Sequence, residues 1–345
     1  ASDVVYNTSF VSYVLLTQET AVLYVDSSRV SEEALDYLKK NGVAVRPYGE
    51  ILDGIAAIDV PTVMLVSVEN VNYRLYLAME ENPRVTIVKG EEPAFCLKAV
   101  KNPVEIANTK NAHIKEGVAM ARLQMCLEEK LAAGETVSET DVGELLVDFR
   151  KEQEGYMEDS FAVIAAYGAN AAMMHYHPTP ENHAVLQRKG FLLLDTGGQY
   201  VDGTTDTTRT YALGELTDEE RRYYTYVLKA NIGIARTVFM EGCSGANLDI
   251  MSRTQIWKYG LDYRCGTGHG VGFVGPIHEG PQSLRMTNHV PFQPGMTITD
   301  EPGIYEEGLV GVRIENELLV VEHMETKYGK FYAFQPFTYL PIDTT

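Results

Sequence analysis

The sequence predicts an α+β protein built from two domains. Its 345 residues are more than one ordinary hydrophobic core accommodates. Short β-rich runs and short helices fill residues 1–98, whereas capped helices alternate with β-hairpins over residues 99–345. We therefore expect a small α/β domain at residues 1–98, followed by a larger α+β domain at residues 99–345.

The first domain opens with a predicted β-hairpin. Two runs rich in Val, Leu and Tyr flank a polar turn at residues 18–20, a pattern typical of two antiparallel strands. A short helix follows, with Ser31 as its N-cap and Gly42 as its stop. Further β-leaning segments continue toward residue 94, which indicates a mixed α/β sheet domain.

The second domain begins with a strongly capped helix. Asn102 precedes Pro103, and Glu105 completes a capping box. Gly134 supplies the stop. The apolar positions predict a stripe that faces the core, made of Ile106, Ile114, Val118, Ala121, Met125 and Leu131.

Three more helices and two strand pairs complete the predicted second domain. Helix starts are indicated by Ser138, by Thr217 with its capping partner Glu220, and by Asn247. Strand pairs are predicted over residues 191–210 and 297–321. Because each pair is short and linked by a turn, we expect antiparallel hairpins.

Composition excludes several function classes. The net charge of -19 repels phosphate backbones, so we expect no nucleic-acid partner. The chain contains no apolar run of the length that spans a membrane, so we expect no membrane partner. Its four cysteines form no CxxC motif, which fits a reducing cytoplasm.

The first hairpin of the second domain carries two carboxylates. Asp195 closes the apolar strand "FLLLD", and Asp206 follows the turn "TGGQYVDGTT". A buried strand that ends in Asp is costly unless the charge is paired or binds a metal. The alternative is a pair of ordinary turn-forming Asp residues, and this hairpin alone does not distinguish the two.

The second hairpin carries two more carboxylates. Glu301 lies between a β-branched strand and a Pro-Gly turn, and Glu315 lies within the run "VRIENELLVV", which we interpret as a strand. A mid-strand Glu among apolar neighbours suits a buried site. The alternative is a solvated strand face on which Glu315 and Glu317 alternate with Arg313.

A histidine in a glycine-rich stretch completes the candidate site. The glycines of "GTGHGVG" allow close backbone approach around His269. Four carboxylates and one imidazole suit Mn, Co or Zn. Two such ions can share bridging carboxylates and a hydroxide, so this pattern predicts metal-assisted hydrolysis.

The candidate ligands and the motifs around them resemble those of a known family. The chain resembles the Xaa-Pro aminopeptidases. The resemblance rests on the order of the five candidate ligands and on the motifs "DTGGQYVDGTTDTTRTY", "GTGHGVG", "HEGP", "TDEPGIY" and "GVRIEN". The Xaa-Pro aminopeptidases belong to the pita-bread metallopeptidases, which also include prolidase and methionine aminopeptidase. The resemblance implies a pita-bread catalytic domain at residues 99–345, preceded by an incomplete creatinase-like α/β domain at residues 1–98.

The resemblance also implies a role for each ligand. Asp195 would hold one metal ion, Asp206 and Glu315 would bridge both ions, and His269 and Glu301 would hold the other. Glu301 would also act as the general base for the attacking water. Manganese is the expected metal, with cobalt and zinc as alternatives.

Four further positions gain expected roles from the resemblance. His175 would steady the tetrahedral intermediate, and His278 would handle protons and contact the cleaved peptide. Arg313 would fix the substrate or neighbouring carboxylates. Cys265 departs from the family pattern, because close relatives carry a histidine there; we expect altered or reduced activity from this substitution.

The implied substrate is a peptide with proline in the second position. A prolidase acting on Xaa-Pro dipeptides is one alternative, and a homologue impaired by Cys265 is another. A binding module that lacks the metals is a third, but such relatives have lost ligands, whereas all five are present here. An incomplete first-domain sheet would expose an edge, so we expect a homodimer or association with a missing N-terminal portion.

Overall fold

A computed structural model describes residues 3–344. The described residues divide into two compact units, which we call the first unit (residues 3–5 and Ser9–Leu97) and the second unit (Tyr6–Thr8 and residues 98–344). The helices are α1 (Glu32–Lys40), α2 (Ile51–Ala56), α3 (Tyr73–Glu81), α4 (Pro93–Ala99), α5 (Pro103–Ala132), α6 (Glu139–Lys151), α7 (Asp218–Ala235) and α8 (Gly245–Trp257).

The strands follow in chain order. They are β1 (Ser12–Leu16), β2 (Ala21–Val25), β3 (Val43–Pro47), β4 (Thr62–Val66), β5 (Val85–Lys89), β6 (Tyr156–Asp159), β7 (Ile164–Tyr167), β8 (Phe191–Thr196), β9 (Gly198–Tyr200), β10 (Gly203–Thr204), β11 (Thr207–Ala212), β12 (Val238–Met240), β13 (Gly268–His269), β14 (Ser283–Leu284), β15 (Thr297–Asp300), β16 (Gly303–Glu306), β17 (Val310–Arg313), β18 (Asn316–Thr326) and β19 (Gly329–Pro336). Short 3₁₀ helices occupy Ser27–Arg29, Tyr48–Glu50 and Gly168–Ala172.

The first unit is a small α/β assembly. Strands β1 and β2 form the predicted antiparallel hairpin, and β3 pairs with β2 in parallel. Strands β4 and β5 form a separate parallel pair. The side chain of Ser31 accepts a hydrogen bond from the Ala34 N–H, and Gly42 has a φ of 76°, so both predicted ends of α1 are confirmed.

Helix α5 confirms the predicted cap but not the predicted buried face. Asn102 and Glu105 form a reciprocal capping box with Pro103 in the first turn. In contrast, Ile114, Val118 and Met125 are 52%, 44% and 62% exposed. The stripe prediction is therefore wrong for these positions. The buried residues of α5 are Thr109, Ala112, His113, Glu116, Ala119, Met120, Leu123, Leu127 and Leu131.

Two polar residues on the buried face of α5 explain the difference. The His113 Nε2 atom lies 2.8 Å from Glu317 Oε2, and both side chains are buried. Glu116 accepts hydrogen bonds from the fully buried Arg150. Because both polar groups have buried partners, this face can turn inward although it is less apolar than the stripe.

The second unit combines α5–α8 with antiparallel sheets. The sheet orders are β11-β8-β7, β10-β9-β6 and β12-β19-β18-β15, with β13-β14 and β16-β17 as separate pairs. Ser138 and Thr217 cap α6 and α7 as predicted. Helix α8 begins two residues earlier than predicted, because Ser244 is its cap. Within residues 3–344, the helices fall short of the combined length and apolarity needed to cross a membrane.

Candidate metal centre and active-site cavity

The hairpin of β8 and β11 brings Asp195 and Asp206 together. Asp195 lies on β8 opposite Thr208, and Asp206 immediately precedes β11. Both carboxylates are buried, at 8% and 4% exposure. Gly197 is required in the connecting turn, because a Cβ atom there would collide with the Thr205 carbonyl. The alternative of two ordinary turn-forming Asp residues is wrong, because Asp195 lies on a strand and both carboxylates are buried.

Glu315 lies at a break between two strands, which corrects the mid-strand prediction. β17 ends at Arg313 and pairs with β16, whereas β18 begins at Asn316 and pairs with β15 and β19. The chain changes sheets at Glu315, whose N–H donates to the Thr208 carbonyl at 3.1 Å. The Thr208 hydroxyl in turn donates to Glu315 Oε2 at 2.7 Å.

The alternative of a solvated strand face is also wrong. Arg313, Glu315 and Glu317 are only 3%, 1% and 1% exposed. Three buried charged side chains within five residues need partners, because an unpaired buried charge is strongly destabilising. Their partners come from hairpin residues, from α5 and from the cavity described below.

His269, on β13, contacts both Asp206 and Glu301, which follows the end of β15. The His269 Nε2 atom lies 3.4 Å from Asp206 Oδ2 and 3.4 Å from Glu301 Oε1. The other ring nitrogen, Nδ1, lies 3.0 Å from the Gly270 carbonyl. When Nδ1 carries the proton and donates it to that carbonyl, the lone pair of Nε2 points at the carboxylates. A metal-binding histidine requires this arrangement.

Gly268 makes this approach of His269 possible. A Cβ atom at Gly268 would collide with the Thr299 carbonyl of β15. The Thr299 hydroxyl accepts a hydrogen bond from the His269 N–H at 3.0 Å. The predicted close backbone approach in the glycine-rich stretch is therefore confirmed at Gly268.

The donor set fits divalent cations. Ligand atoms of Asp206, His269 and Glu315 all lie within 4.8 Å of one another. Asp195 Oδ1 is buried and has no hydrogen-bond partner among residues 3–344. Burial and then the charge of neighbouring carboxylates raise the pKa of Asp206 and Glu315 well above the ordinary value. Cations balance such charge, so oxygen-rich donors around one imidazole suit a divalent metal site.

Arg313 holds Asp195 in place. Its Nη2 atom donates to Asp195 Oδ2 at 2.5 Å, and its Nη1 atom donates to the Tyr305 hydroxyl at 2.8 Å. Its Nε atom donates to Thr208 Oγ1 at 3.2 Å. Because these donors are already engaged, the contacts indicate that Arg313 fixes the Asp195 carboxylate and does not bind the substrate.

The histidines His175 and His278 line the same cavity as the five candidate ligands. This cavity has a volume of about 340 Å³. The rings of His269 and His278 meet edge-to-face, with centroids 4.0 Å apart. Burial, and then the neighbouring His269 and His175, lower the pKa of His278 to about 4. His278 is therefore a neutral imidazole at pH 7, able to donate or accept a hydrogen bond.

Cys265 lies in the wall of the cavity. Burial, and then the charge of Glu301, raise the pKa of its thiol to about 11. The thiol is therefore neutral at pH 7 and is a poor metal ligand in that form. The backbone carbonyl of Cys265 accepts a hydrogen bond from Arg253 Nη2 at 2.7 Å, which fixes the start of the glycine-rich stretch.

Several cavity residues carry no sequence signal of their own. The wall includes Tyr6, Phe161, Ile164, Met174, Ile277 and Tyr305. The aromatic residues Tyr167, Tyr176 and Phe273 lie outside the described cavity wall. Tyr176 instead donates its hydroxyl to the buried Glu139 at 2.8 Å. His177 also lines the cavity, whereas His183 contacts the Thr179 carbonyl.

The sequence has close relatives among aminopeptidases. It is 38% identical over 376 residues to Aminopeptidase P2 of Arabidopsis thaliana, covering 99% of this chain and 53% of the plant protein. It is 38% identical over 355 residues to a probable Xaa-Pro aminopeptidase P of Sclerotinia sclerotiorum, covering 99% of this chain and 59% of that protein. The chain thus spans just over half the length of these relatives.

Two solved structures superpose on this chain. An X-prolyl aminopeptidase of Caenorhabditis elegans, described as a cytosolic enzyme with a di-nuclear active site, superposes with a TM-score of 0.92 at 31% identity, covering 99% of this chain and 57% of that chain. A Xaa-Pro dipeptidase of Bacillus anthracis superposes with a TM-score of 0.76 at 26% identity, covering 97% and 89%.

Family matches cover both parts of the chain. Residues 1–105 match the creatinase/prolidase N-terminal domain, and residues 107–322 match metallopeptidase family M24. Together with the superpositions, they confirm the predicted α+β fold, in which a creatinase-type domain precedes a pita-bread domain. Because the second match spans more than half of the sequence, this chain belongs to metallopeptidase family M24.

Proposed function

We propose that this protein is a metal-dependent exopeptidase that removes an N-terminal residue preceding proline. The observation that carries the proposal is the cavity in which four carboxylates and His269 converge beside three further histidines, His175, His177 and His278. The names of the plant, fungal and nematode relatives support the same activity. The substrates are peptides with proline in the second position.

We assign the metal ligands as follows. Asp195 would hold one ion, Asp206 and Glu315 would be shared by two ions, and His269 with Glu301 would hold the other. The contacts of His269 Nε2 with Asp206 and Glu301 support this grouping, and the di-nuclear site of the nematode protein supports a pair of ions. When bound, two divalent ions, with manganese as our choice, would activate a water molecule and polarise the scissile carbonyl.

Three side chains near the ions, Glu301, His278 and His175, then bind the peptide or transfer protons. Glu301, which lies beside His269, accepts a proton from the attacking water. His278 is neutral at pH 7 because its pKa is lowered to about 4, so its imidazole can hydrogen-bond the peptide without adding charge. His175 lies in the same wall and steadies the developing oxyanion. The apolar wall receives the proline ring.

The charges of the cavity favour an aminopeptidase over a prolidase. A dipeptide places its free carboxylate inside the site, where it needs a cationic partner. Within the part of the cavity wall that the structure describes, Arg313 is the only Lys or Arg side chain. It already forms hydrogen bonds with Asp195, Thr208 and Tyr305. A longer peptide carries its carboxylate outside the cavity and avoids this cost.

Comparison of a tripeptide with a dipeptide tests this proposal. We expect the manganese-loaded protein to cleave Ala-Pro-Ala with a kcat/KM about tenfold or more above that for Ala-Pro, because the dipeptide buries an unpaired carboxylate. Released alanine is quantified for both. A faster dipeptide would identify a prolidase, and no turnover of either would support a homologue impaired by Cys265.

Three finer assignments belong to the same proposal. We place the boundary between the two domains at residue 98 and the protein in the cytoplasm, supported by the description of the nematode enzyme as cytosolic. We also propose a homodimer. Val14 and Leu16 on the edge strand β1 are 60% and 73% exposed, and such an apolar edge is stabilised when a partner covers it.

A further inference from the structure

A short N-terminal segment, Tyr6–Thr8, belongs to the second unit although its neighbours in the chain belong to the first. The Thr8 hydroxyl donates to the Val274 carbonyl at 2.6 Å. The Tyr6 carbonyl accepts a hydrogen bond from Gln199 Nε2 at 3.3 Å. The segment is therefore attached to the second unit at two points, one in the hairpin that carries Asp195 and Asp206 and one in the loop between His269 and His278.

Gln199 joins this segment to the metal-site hairpin. It is fully buried on β9, between Asp195 and Asp206 in the chain. Its Nε2 atom also donates to the Gly275 carbonyl at 2.9 Å, and its Oε1 atom accepts from the Thr204 hydroxyl at 2.7 Å. One buried amide thus holds the segment and the loop that leads to His278 against the same hairpin.

The backbone of both attached parts has an uncommon conformation. Tyr6 has a φ of 62° and Val274 a φ of 47°, a left-handed region that residues other than glycine seldom occupy. For the β-branched Val274 this conformation is strained. Such conformations persist where surrounding contacts fix them, and they cluster at ligand sites. Here the contacts are those of Gln199 and Thr8.

The side chain of Tyr6 lies at the mouth of the cavity. Tyr6, Ala162 and His177 line the active-site cavity, and they also line a neighbouring open depression of about 880 Å³. Tyr6 is 37% exposed, so the residue is accessible at this position. The candidate metal ligands lie deeper, because the carboxylates of Asp195, Asp206 and Glu315 are buried.

We propose that Tyr6 contacts the substrate and selects the side chain of its third residue. The inference rests on the proposed function, in which the first residue and the proline occupy the inner part of the cavity. The peptide beyond proline must then leave through the mouth and pass the Tyr6 ring. An aromatic ring at that point packs best against an aromatic or large apolar side chain.

The test compares third residues in variants of Tyr6. In the unchanged protein we expect kcat/KM for Ala-Pro-Phe to exceed that for Ala-Pro-Gly about tenfold. Tyr6→Ala should lower this ratio to about one, whereas Tyr6→Phe, which keeps the ring, should retain it. An unchanged ratio in Tyr6→Ala, no preference in the unchanged protein, or loss of preference in Tyr6→Phe would overturn the proposal.

A control and a binding measurement separate this inference from the proposed activity. Tyr37→Ala replaces a tyrosine of the first unit that is 67% exposed, and it should leave the ratio unchanged. Affinities for the two tripeptides are measured by calorimetry with analogues in which a methylene replaces the scissile carbonyl. If the protein cleaves no peptide, the proposed activity fails, but the ratio of these affinities in the Tyr6 variants still decides the role of Tyr6.

Discussion

Replacement of Glu301 by Gln is expected to abolish peptide hydrolysis while the fold is retained. Gln keeps the size of the side chain but removes the charge, one metal ligand and the proposed base. We expect kcat for Ala-Pro-Ala to fall by about 10³-fold or more, since loss of a general base alone costs about 10²–10⁴-fold. The fold should survive because, within residues 3–344, the carboxylate has few polar side-chain partners, namely the Thr299 hydroxyl and the His269 ring.

A matched substitution at a nearby exposed residue controls for nonspecific effects. Glu307 is an exposed residue in the turn between β16 and β17, and Glu307→Gln makes the same chemical change away from the cavity. Its kcat should equal that of the unchanged protein. If Glu301→Gln retains more than about a tenth of the activity, a loss well below the expected range, Glu301 does not have the role proposed here.

Removal of the Arg150 charge is expected to produce the largest loss of stability. Arg150 is fully buried and donates to both oxygens of Glu116, to Asp159 and to the Thr196 hydroxyl. Arg150→Met leaves the buried Glu116 charge without its cationic partner, which costs about 3–5 kcal/mol. Urea unfolding of the second unit, followed by circular dichroism, measures this loss.

The neighbouring residue provides the control for Arg150. The Lys151 side chain is 62% exposed and forms an ion pair with the exposed Asp148, so Lys151→Met should change the free energy of unfolding by less than about 1 kcal/mol. Equal effects of the two substitutions would show that the Arg150 cluster does not stabilise the second unit. Because Thr196 follows Asp195 on β8, a loosened cluster should also weaken metal binding.

Local signals in the sequence predicted the helix ends well. The capping residues Asn102, Ser138 and Thr217 each interact with a residue two or three positions later. Such contacts depend on a few neighbouring residues, so sequence alone identifies them. The same holds for the turn of the first hairpin, whose strands pair as predicted.

Long-range contacts account for what the sequence did not predict. The buried face of α5 depends on Arg150 and Glu317, which lie 34 and 204 residues away from their partners on that helix. The sequence predicted Glu315 to lie within one strand. The change of sheet at this position depends on strand pairing with residues remote in the chain. Tyr6 carries no motif, and its place in the cavity wall depends on Gln199 and Val274.

The candidate site was predicted because its residues belong to recognisable motifs. Their spacing alone left open whether Asp195 and Asp206 were turn residues and whether Glu315 was solvated. The structure excludes both alternatives, because all three carboxylates are buried, and those of Asp206 and Glu315 lie close to His269. Burial depends on tertiary packing, which the local sequence does not determine.

Titration of manganese into chelator-treated protein tests the central claim most directly. Calorimetry counts the bound ions while hydrolysis of Ala-Pro-Ala is followed at each point of the titration. We predict that each chain binds two Mn²⁺ ions and that peptide cleavage rises with their binding, because five converging side chains provide the ligands. A protein that binds no Mn²⁺, or whose activity is the same with and without it, would contradict the account.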